Sequence, residues 1–344
     1  MLPQLIAQKL ISENHPTLDR PHCINGKQRK SPCSACANIC RNDVYSKIAN
    51  PEWERCDNCG LCVSVCPSRC LLPPAFSLEK YLTPLSKEDQ DIQVACGKTK
   101  ARDGLTVRCL GALPWEWIAS AALLGELTLY TGGCEECELK EGFALFEKNR
   151  KKAEQFLGDA YYNEQVSITE IGGETAEAPP SQTYSRREFF SSMFKRSKKV
   201  TITASSLIIN KKSDIDGLIF RKLLHKQSQI KEGMSFSWLA PVFSSSCRVC
   251  GICGKLCPQS AISIDTKDGV SSVTITPWKC GACGLCQTVC PEGGIAEIGV
   301  VNVDDLSPIE VHSAPASTCE DCGVTVKSGL ALCPSCASKR KRGY

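Results

Sequence analysis

The chain has 344 residues, 25 of them cysteine, and a formal net charge of +4. That length is too great for one small domain and suits two to four units. The cysteines fall in tight groups at 23–70, 96–137, 247–290 and 319–336, and neighbours two or three residues apart reach a common metal more easily than each other, which excludes a disulfide scaffold and implies reduced thiols in a cytoplasmic chain.

Residues 1–10 are short and mixed, carry Lys9, and lack the apolar core and small-residue cleavage site of a signal peptide. The first cysteine group then holds Cys23, followed by Cys33, Cys36 and Cys40 at C-x2-C-x3-C spacing. A complete run follows: Cys56, Cys59, Cys62 and Cys66, with Pro67 after the last and Trp53 just upstream. The spacing C-x2-C-x2-C-x3-C-P returns twice, as Cys247, Cys250, Cys253 and Cys257 before Pro258, and as Cys280, Cys283, Cys286 and Cys290 before Pro291. Three thiolates two residues apart wrap one face of a [4Fe-4S] cubane, and glycines let backbone N–H groups approach the sulfurs. A zinc site needs only four ligands and has no use for two interleaved quartets.

The stretch 91–170 differs from its neighbours. Residues 92–95, 105–108 and 127–130 read as short strands, and 114–125 between the last two reads as a helix, a pattern that predicts a small parallel α/β unit. Residues 117–130 are apolar, but they are too few to span a membrane and Glu126 interrupts them. Cys96, Cys109 and Cys134 each follow a strand, so these three and Cys137 are expected at one sheet edge.

Residues 172–181 read as a linker. Residues 186–231 hold twelve Lys or Arg against Glu188, Asp214 and Asp216, a bias that suits either an acidic partner protein or a solvated linker. The segment from Ser185 to Phe190 looks like a twin-arginine export motif, but it lies mid-chain and is followed by further basic residues, so it reads as a docking segment. Between Pro258 and Cys280, apolar residues alternate on either side of Asp268 and Gly269, a hairpin signature. Near the end, Cys319 and Cys322 pair with Cys333 and Cys336 as two C-x2-C knuckles, a zinc-ribbon pattern that leads into a basic tail.

Across residues 246–298 these features resemble bacterial two-cluster ferredoxins, in which the fourth cysteine of each run serves the other cluster. The resemblance implies that Cys247, Cys250, Cys253 and Cys290 bind one cubane, and Cys280, Cys283, Cys286 and Cys257 the other. Its N-terminal counterpart departs from the pattern, because alignment on Cys40 puts Lys30 where the first ligand belongs. The favoured sets are Cys23, Cys33, Cys36 and Cys66 for one cluster and Cys56, Cys59, Cys62 and Cys40 for the other. A three-iron cluster, or Cys70 as substitute, remains open if Cys23 does not ligate.

The middle segment resembles the small [2Fe-2S] subunit of methyl-viologen-reducing hydrogenases, through the run from Val107 to Gly111 around Cys109 and the run 132–137 that carries Cys134 and Cys137. Only Cys96 stands where that family offers a closer-spaced group. Ordinary buried thiols, or a dithiol at Cys134 and Cys137, are the competing readings.

The expected architecture is α+β: a two-cluster module over 1–80, a small α/β domain over 85–175, a basic linker over 176–240, a second two-cluster module over 241–300, and a zinc ribbon with basic tail over 315–344. Four [4Fe-4S] clusters, one zinc and a candidate [2Fe-2S] centre are the expected cofactors. The paired modules resemble polyferredoxin subunits of anaerobic oxidoreductases, which implies electron transfer between redox proteins beside a molybdopterin oxidoreductase, formate dehydrogenase or hydrogenase. A thiol/disulfide enzyme using Cys134 and Cys137 is the alternative. Nucleic-acid binding through the ribbon and tail ranks last, since few aromatics accompany those charges.

Overall fold

The structure is a computed structural model that describes residues 15–27, 33–48, 50–86, 91–99, 104–171, 217–230, 234–304, 306–323, 325–327 and 330–341. The stretch 1–10, the Lys30 position, the linker 172–181 and the segment 185–199 lie outside the described residues. The chain divides into two compact units, Met1–Asp19 with Ser34–Gln227, and Arg20–Cys33 with Ser228–Tyr344. Among the described residues no helix is long and apolar enough to cross a membrane.

In the first unit, β1 (Thr17–Leu18) pairs antiparallel with β2 (Leu71–Leu72), closing a loop that carries the short helices α1 (Ala35–Ile39) and α2 (Leu61–Val65). After α3 (Ala75–Leu82) come β3 (Ile92–Cys96), β4 (Leu105–Val107), α4 (Trp115–Leu124), β5 (Leu127–Thr131), α5 (Lys140–Leu157), α6 (Asp159–Gln165) and β6 (Val166–Glu170). The four strands form one parallel sheet in the order β4-β3-β5-β6.

Helix α4 is apolar on nearly every face, as a helix enclosed by its own domain must be. Trp117, Ile118, Ala119, Ala121 and Ala122 are wholly buried, as are Val94, Leu127 and Leu129 of the sheet. The Trp117 indole N–H donates to the Tyr81 carbonyl at 2.8 Å, which satisfies the polar edge of an otherwise apolar side chain. The run 117–130 is therefore a core helix and strand.

Residues 219–230, expected within the basic linker, instead form α7 (Ile219–Ile230). Leu223 and Leu224 recur at helical spacing with Phe220, and all three are buried in this unit, while Gly217 lies against the Arg69 carbonyl.

In the second unit, β7 (Phe236–Phe243) pairs antiparallel with β10 (Ile295–Val303), bracketing two short helices, α8 (Ile252–Leu256) and α9 (Leu285–Thr288). Between those helices β8 (Ile262–Lys267) and β9 (Val270–Ile275) form a hairpin whose turn is Asp268 and Gly269, both at positive φ. The hairpin continues into β11 (Ile309–Thr318) and β12 (Thr325–Lys327), and α10 (Pro334–Lys341) ends the described chain. Residues 20–33 also belong to this unit. There the Cys23 N–H donates to the Arg20 carbonyl at 3.0 Å, and the Asn25 amide donates to the Cys33 carbonyl at 2.7 Å.

Candidate iron–sulfur and metal sites

The three complete cysteine runs share one backbone path. The residue before each second cysteine is left-handed (Asn58, Val249 and Ala282), and so is the glycine after it (Gly60, Gly251 and Gly284), which opens the helix that follows. The chain turns left-handed again three residues past each fourth cysteine, at Arg69, Ser260 and Gly293. For the β-branched Val249 such a φ costs about 1–3 kcal/mol. The path turns backbone donors toward sulfur: Asn58 N–H to Cys56 Sγ at 3.4 Å, Ala261 N–H to Cys257 Sγ at 3.2 Å, and Gly294 N–H to Cys290 Sγ at 3.1 Å. Such donors favour the thiolate over the thiol.

The run ending at Cys40 follows this path in part. Helix α1 precedes Cys40 as α2 precedes Cys66, and Asp43, three residues later, is left-handed like Arg69. Ser34, however, takes the place of the left-handed glycine and has an ordinary negative φ.

The thiols of the C-terminal runs bear on one another electrostatically. Burial pushes Cys253 up to about 12, with Cys250, Cys247 and Cys290 adding to the rise. Burial likewise raises Cys247, with Cys250 and Cys290 adding. Cys286 is pushed up to about 12 by burial, then by Cys280, Cys283, Cys253 and Cys257. Cys283 is raised by burial, with Cys257 and also Cys33 contributing. Each fourth cysteine thus bears on the thiols of the other run. Half-buried thiols crowded together, with backbone N–H groups aimed at their sulfurs, suit an iron–sulfur cluster, whose cationic irons offset the crowded negative charge.

In the first unit, Cys59 is pushed up to about 11, chiefly by burial, with Asp57 and Cys40 adding to the rise. Cys56 is raised by burial and also feels Cys40. Cys62 is raised by burial, with Cys59, Cys56 and Cys36 adding. Cys66 is buried, its Sγ lies 3.5 Å from Cys70 Sγ, and that hydrogen bond lowers its pKa against the cost of burial. Cys36 shares this unit, whereas Cys23 and Cys33 belong to the other.

The carboxyl ends of β3, β4 and β5 deliver Cys96, Cys109, Cys134 and Cys137 to one pocket, lined also by Arg108, Thr131, Phe143 and Phe146. Burial pushes Cys109 up to about 11, with Cys96, Cys137 and Cys134 adding. Burial also raises Cys134, with Cys96, Cys137 and Glu170 contributing. Lys98 N–H donates to Cys96 Sγ at 3.3 Å and Leu139 N–H to Cys137 Sγ at 3.4 Å. Four thiols that line one pocket, each with a backbone N–H hydrogen bond, suit a small cluster better than isolated buried cysteines.

The sulfurs of Cys319, Cys322, Cys333 and Cys336 all lie within 4.8 Å of one another, and Cys322 Sγ is 3.7 Å from Cys333 Sγ. A tetrahedron of sulfurs at roughly 2.3 Å from zinc has edges of roughly 3.8 Å, so the set fits one such ion. Cys333 N–H donates to Cys319 Sγ at 3.2 Å and Cys336 N–H to Cys333 Sγ at 3.4 Å.

Sequence reasoning missed one buried group. Glu116 is wholly buried at the start of α4, where it receives the guanidinium groups of Arg69 at 2.5 Å and Arg221 at 2.6 Å. The only sequence signal was a carboxylate beside an apolar helical run.

Comparison with known proteins places two domains on the chain. Residues 246–294 match the family described as a 4Fe-4S dicluster domain, and residues 50–72 match that described as a 4Fe-4S binding domain. No curated protein and no solved structure matches. The first match spans all eight cysteines of the C-terminal runs and the second spans Cys56, Cys59, Cys62 and Cys66, so the chain carries two ferredoxin-type 4Fe-4S domains, which point to iron–sulfur electron transfer.

Proposed function

We propose that this protein is a polyferredoxin-type electron carrier that passes single electrons between redox partner proteins, as a component of a larger oxidoreductase. The observation that carries the reading is the backbone path shared by the three complete cysteine runs, which turns N–H groups toward the sulfurs of Cys56, Cys257 and Cys290 within two stretches that match 4Fe-4S domains. Cys247, Cys250, Cys253 and Cys290 would hold one [4Fe-4S] cluster, and Cys280, Cys283, Cys286 and Cys257 a second. Cys56, Cys59, Cys62 and Cys40 would hold a third, and Cys66 and Cys36 would serve a fourth. Bound cubanes supply one-electron redox chemistry without substrate transformation.

Cys96, Cys109, Cys134 and Cys137 would hold a [2Fe-2S] centre, supported by their convergence in one pocket. The rival reading, a thiol/disulfide enzyme at Cys134 and Cys137, needs a readily formed thiolate, and burial together with Cys96 and Glu170 works against one at Cys134. Cys319, Cys322, Cys333 and Cys336 would hold zinc.

Anaerobic preparation with iron and sulfide counts tests the reading. About sixteen irons in cubanes are expected, and two cubanes or fewer would overturn the N-terminal assignment. Thiol/disulfide turnover that is lost in Cys134→Ser with every cubane retained, from a wild type that shows no [2Fe-2S] signal, would favour the enzyme instead.

A further inference from the structure

Arg69, Glu116 and Arg221 form a closed ionic group in the first unit. Glu116 is 0% exposed, Arg221 3% and Arg69 8%. The Glu116 carboxylate accepts Arg69 Nη2 at 2.5 Å and Nε at 3.3 Å, and Arg221 Nε at 2.6 Å. One further nitrogen of each arginine reaches the backbone around Cys66. Arg69 Nη1 donates to the carbonyls of Val63 at 3.1 Å and Ser64 at 2.5 Å, and Arg221 Nη2 donates to the Pro67 carbonyl at 3.4 Å. Arg221 Nη1 is buried with no hydrogen-bond partner among the described residues.

Two guanidinium groups against one carboxylate leave a buried surplus of one positive charge. Burying unbalanced charge is costly unless an opposite charge lies close by. The surplus sits against the stretch 63–67, which contains Cys66. A cluster bound through four thiolates carries net negative charge, and each added electron makes it more negative. A fixed cation beside it therefore stabilises the reduced state more than the oxidised state.

We propose that the Arg69–Glu116–Arg221 group is the fixed counter-charge of the cluster ligated by Cys66 and raises its reduction potential above what the same ligands alone would give. The inference rests on the reading of Cys66 as a cluster ligand. The step it governs is the addition of one electron, with no bond made or broken. These are positioning residues that act through charge, so the sign of the effect is fixed in advance: removing an arginine lowers the potential and removing the glutamate raises it.

The test is a dithionite titration of the full-length, anaerobically loaded protein, followed by electron paramagnetic resonance. Arg221→Met is expected to disfavour reduction of one cluster about tenfold, a fall of about 59 mV for one electron. Glu116→Gln is expected to raise the same midpoint, and the double variant, which restores the original net charge, to return it toward the wild-type value. Arg221→Lys keeps the charge and should keep the potential, even if Arg221→Met loses iron. Shifts of one sign in both single variants would overturn the proposal, because loosened packing has no charge sense. So would an unmoved potential in Glu116→Gln with iron content intact. Cys66→Ser separates this outcome from failure of the ligand reading itself: if that variant spares every cluster signal, Cys66 is no ligand.

Discussion

Cys59 and Cys109 pack against the same three buried leucines, Leu61, Leu139 and Leu145. One cysteine belongs to a ferredoxin run and the other follows a strand of the parallel sheet, so the module and the sheet share this small core. Tyr81 lies within reach of both: burial pushes its hydroxyl up to about 12, with Cys59 and Cys109 adding to the rise. Gly60 marks how close the approach is, since a Cβ there would come within 2.9 Å of the Ala112 Cβ.

The shared core makes a single packing change felt at two sites. Leu61→Ala removes a side chain that is 2% exposed, at a cost of about 2–5 kcal/mol. It should lower the thermal midpoint, release iron from the N-terminal module, and speed alkylation of Cys109 in the same protein. Faster alkylation of Cys109 with N-terminal iron fully retained would show that the two sites are not coupled through these leucines.

What the sequence made legible was local. Cysteine ligands of one run lie within a single turn of chain, so spacing alone suggested their chemistry. Strands β3, β4 and β5 bury alternate or consecutive apolar residues, and their pattern stood out. Strand β6 did not, because only Val166 is buried and the rest of this edge strand faces solvent. In α7 the basic Arg221, Lys222 and Lys226 are interleaved with the apolar residues that pack, and charge counting hid the buried Leu223 and Leu224. The partners of Glu116 lie 47 and 105 residues away, a separation that no window of sequence reports.

The same carboxylate predicts how stability responds to acid. Burial alone would raise Glu116 above its ordinary 4.5, but Arg69 and Arg221 hold it down at about 2. A carboxyl with a depressed folded pKa stabilises the fold above its unfolded value and loses that contribution as pH falls toward the folded one. The gap in guanidinium midpoint between wild type and Glu116→Gln should therefore stay flat from about pH 8 to 5 and narrow below about pH 4.5. Both proteins are measured side by side, so that acid loss of metal affects each alike. A gap that already closes between about pH 7 and 5 would mean that the two arginines do not hold the carboxylate ionised.

The four C-terminal thiols should behave as an independent site. Zinc requires them deprotonated, and binding orders a segment too small to fold on its own core. Cys333→Ser should release one zinc and leave iron and the visible cluster spectrum unchanged. In the wild type, cobalt(II) should replace zinc with a tetrahedral thiolate spectrum. Iron loss in the variant would show that the tail and the clusters form one metal system.

The arrangement of thiols in the second unit gives the sharpest test, because crossed and sequential ligation assign the same eight cysteines differently. Under crossed ligation, Cys257 serves the cluster held by Cys280, Cys283 and Cys286, and Cys290 serves the one held by Cys247, Cys250 and Cys253. Cys257→Ser should then damage the cluster of the later run, and Cys290→Ser that of the earlier run, with a different reduction potential vanishing in each. The double variant Cys257→Ser with Cys283→Ser removes two ligands from one cluster and should spare its twin. Sequential ligation would put those two changes in different clusters, so loss of both cubanes in the double variant would reject the crossed scheme.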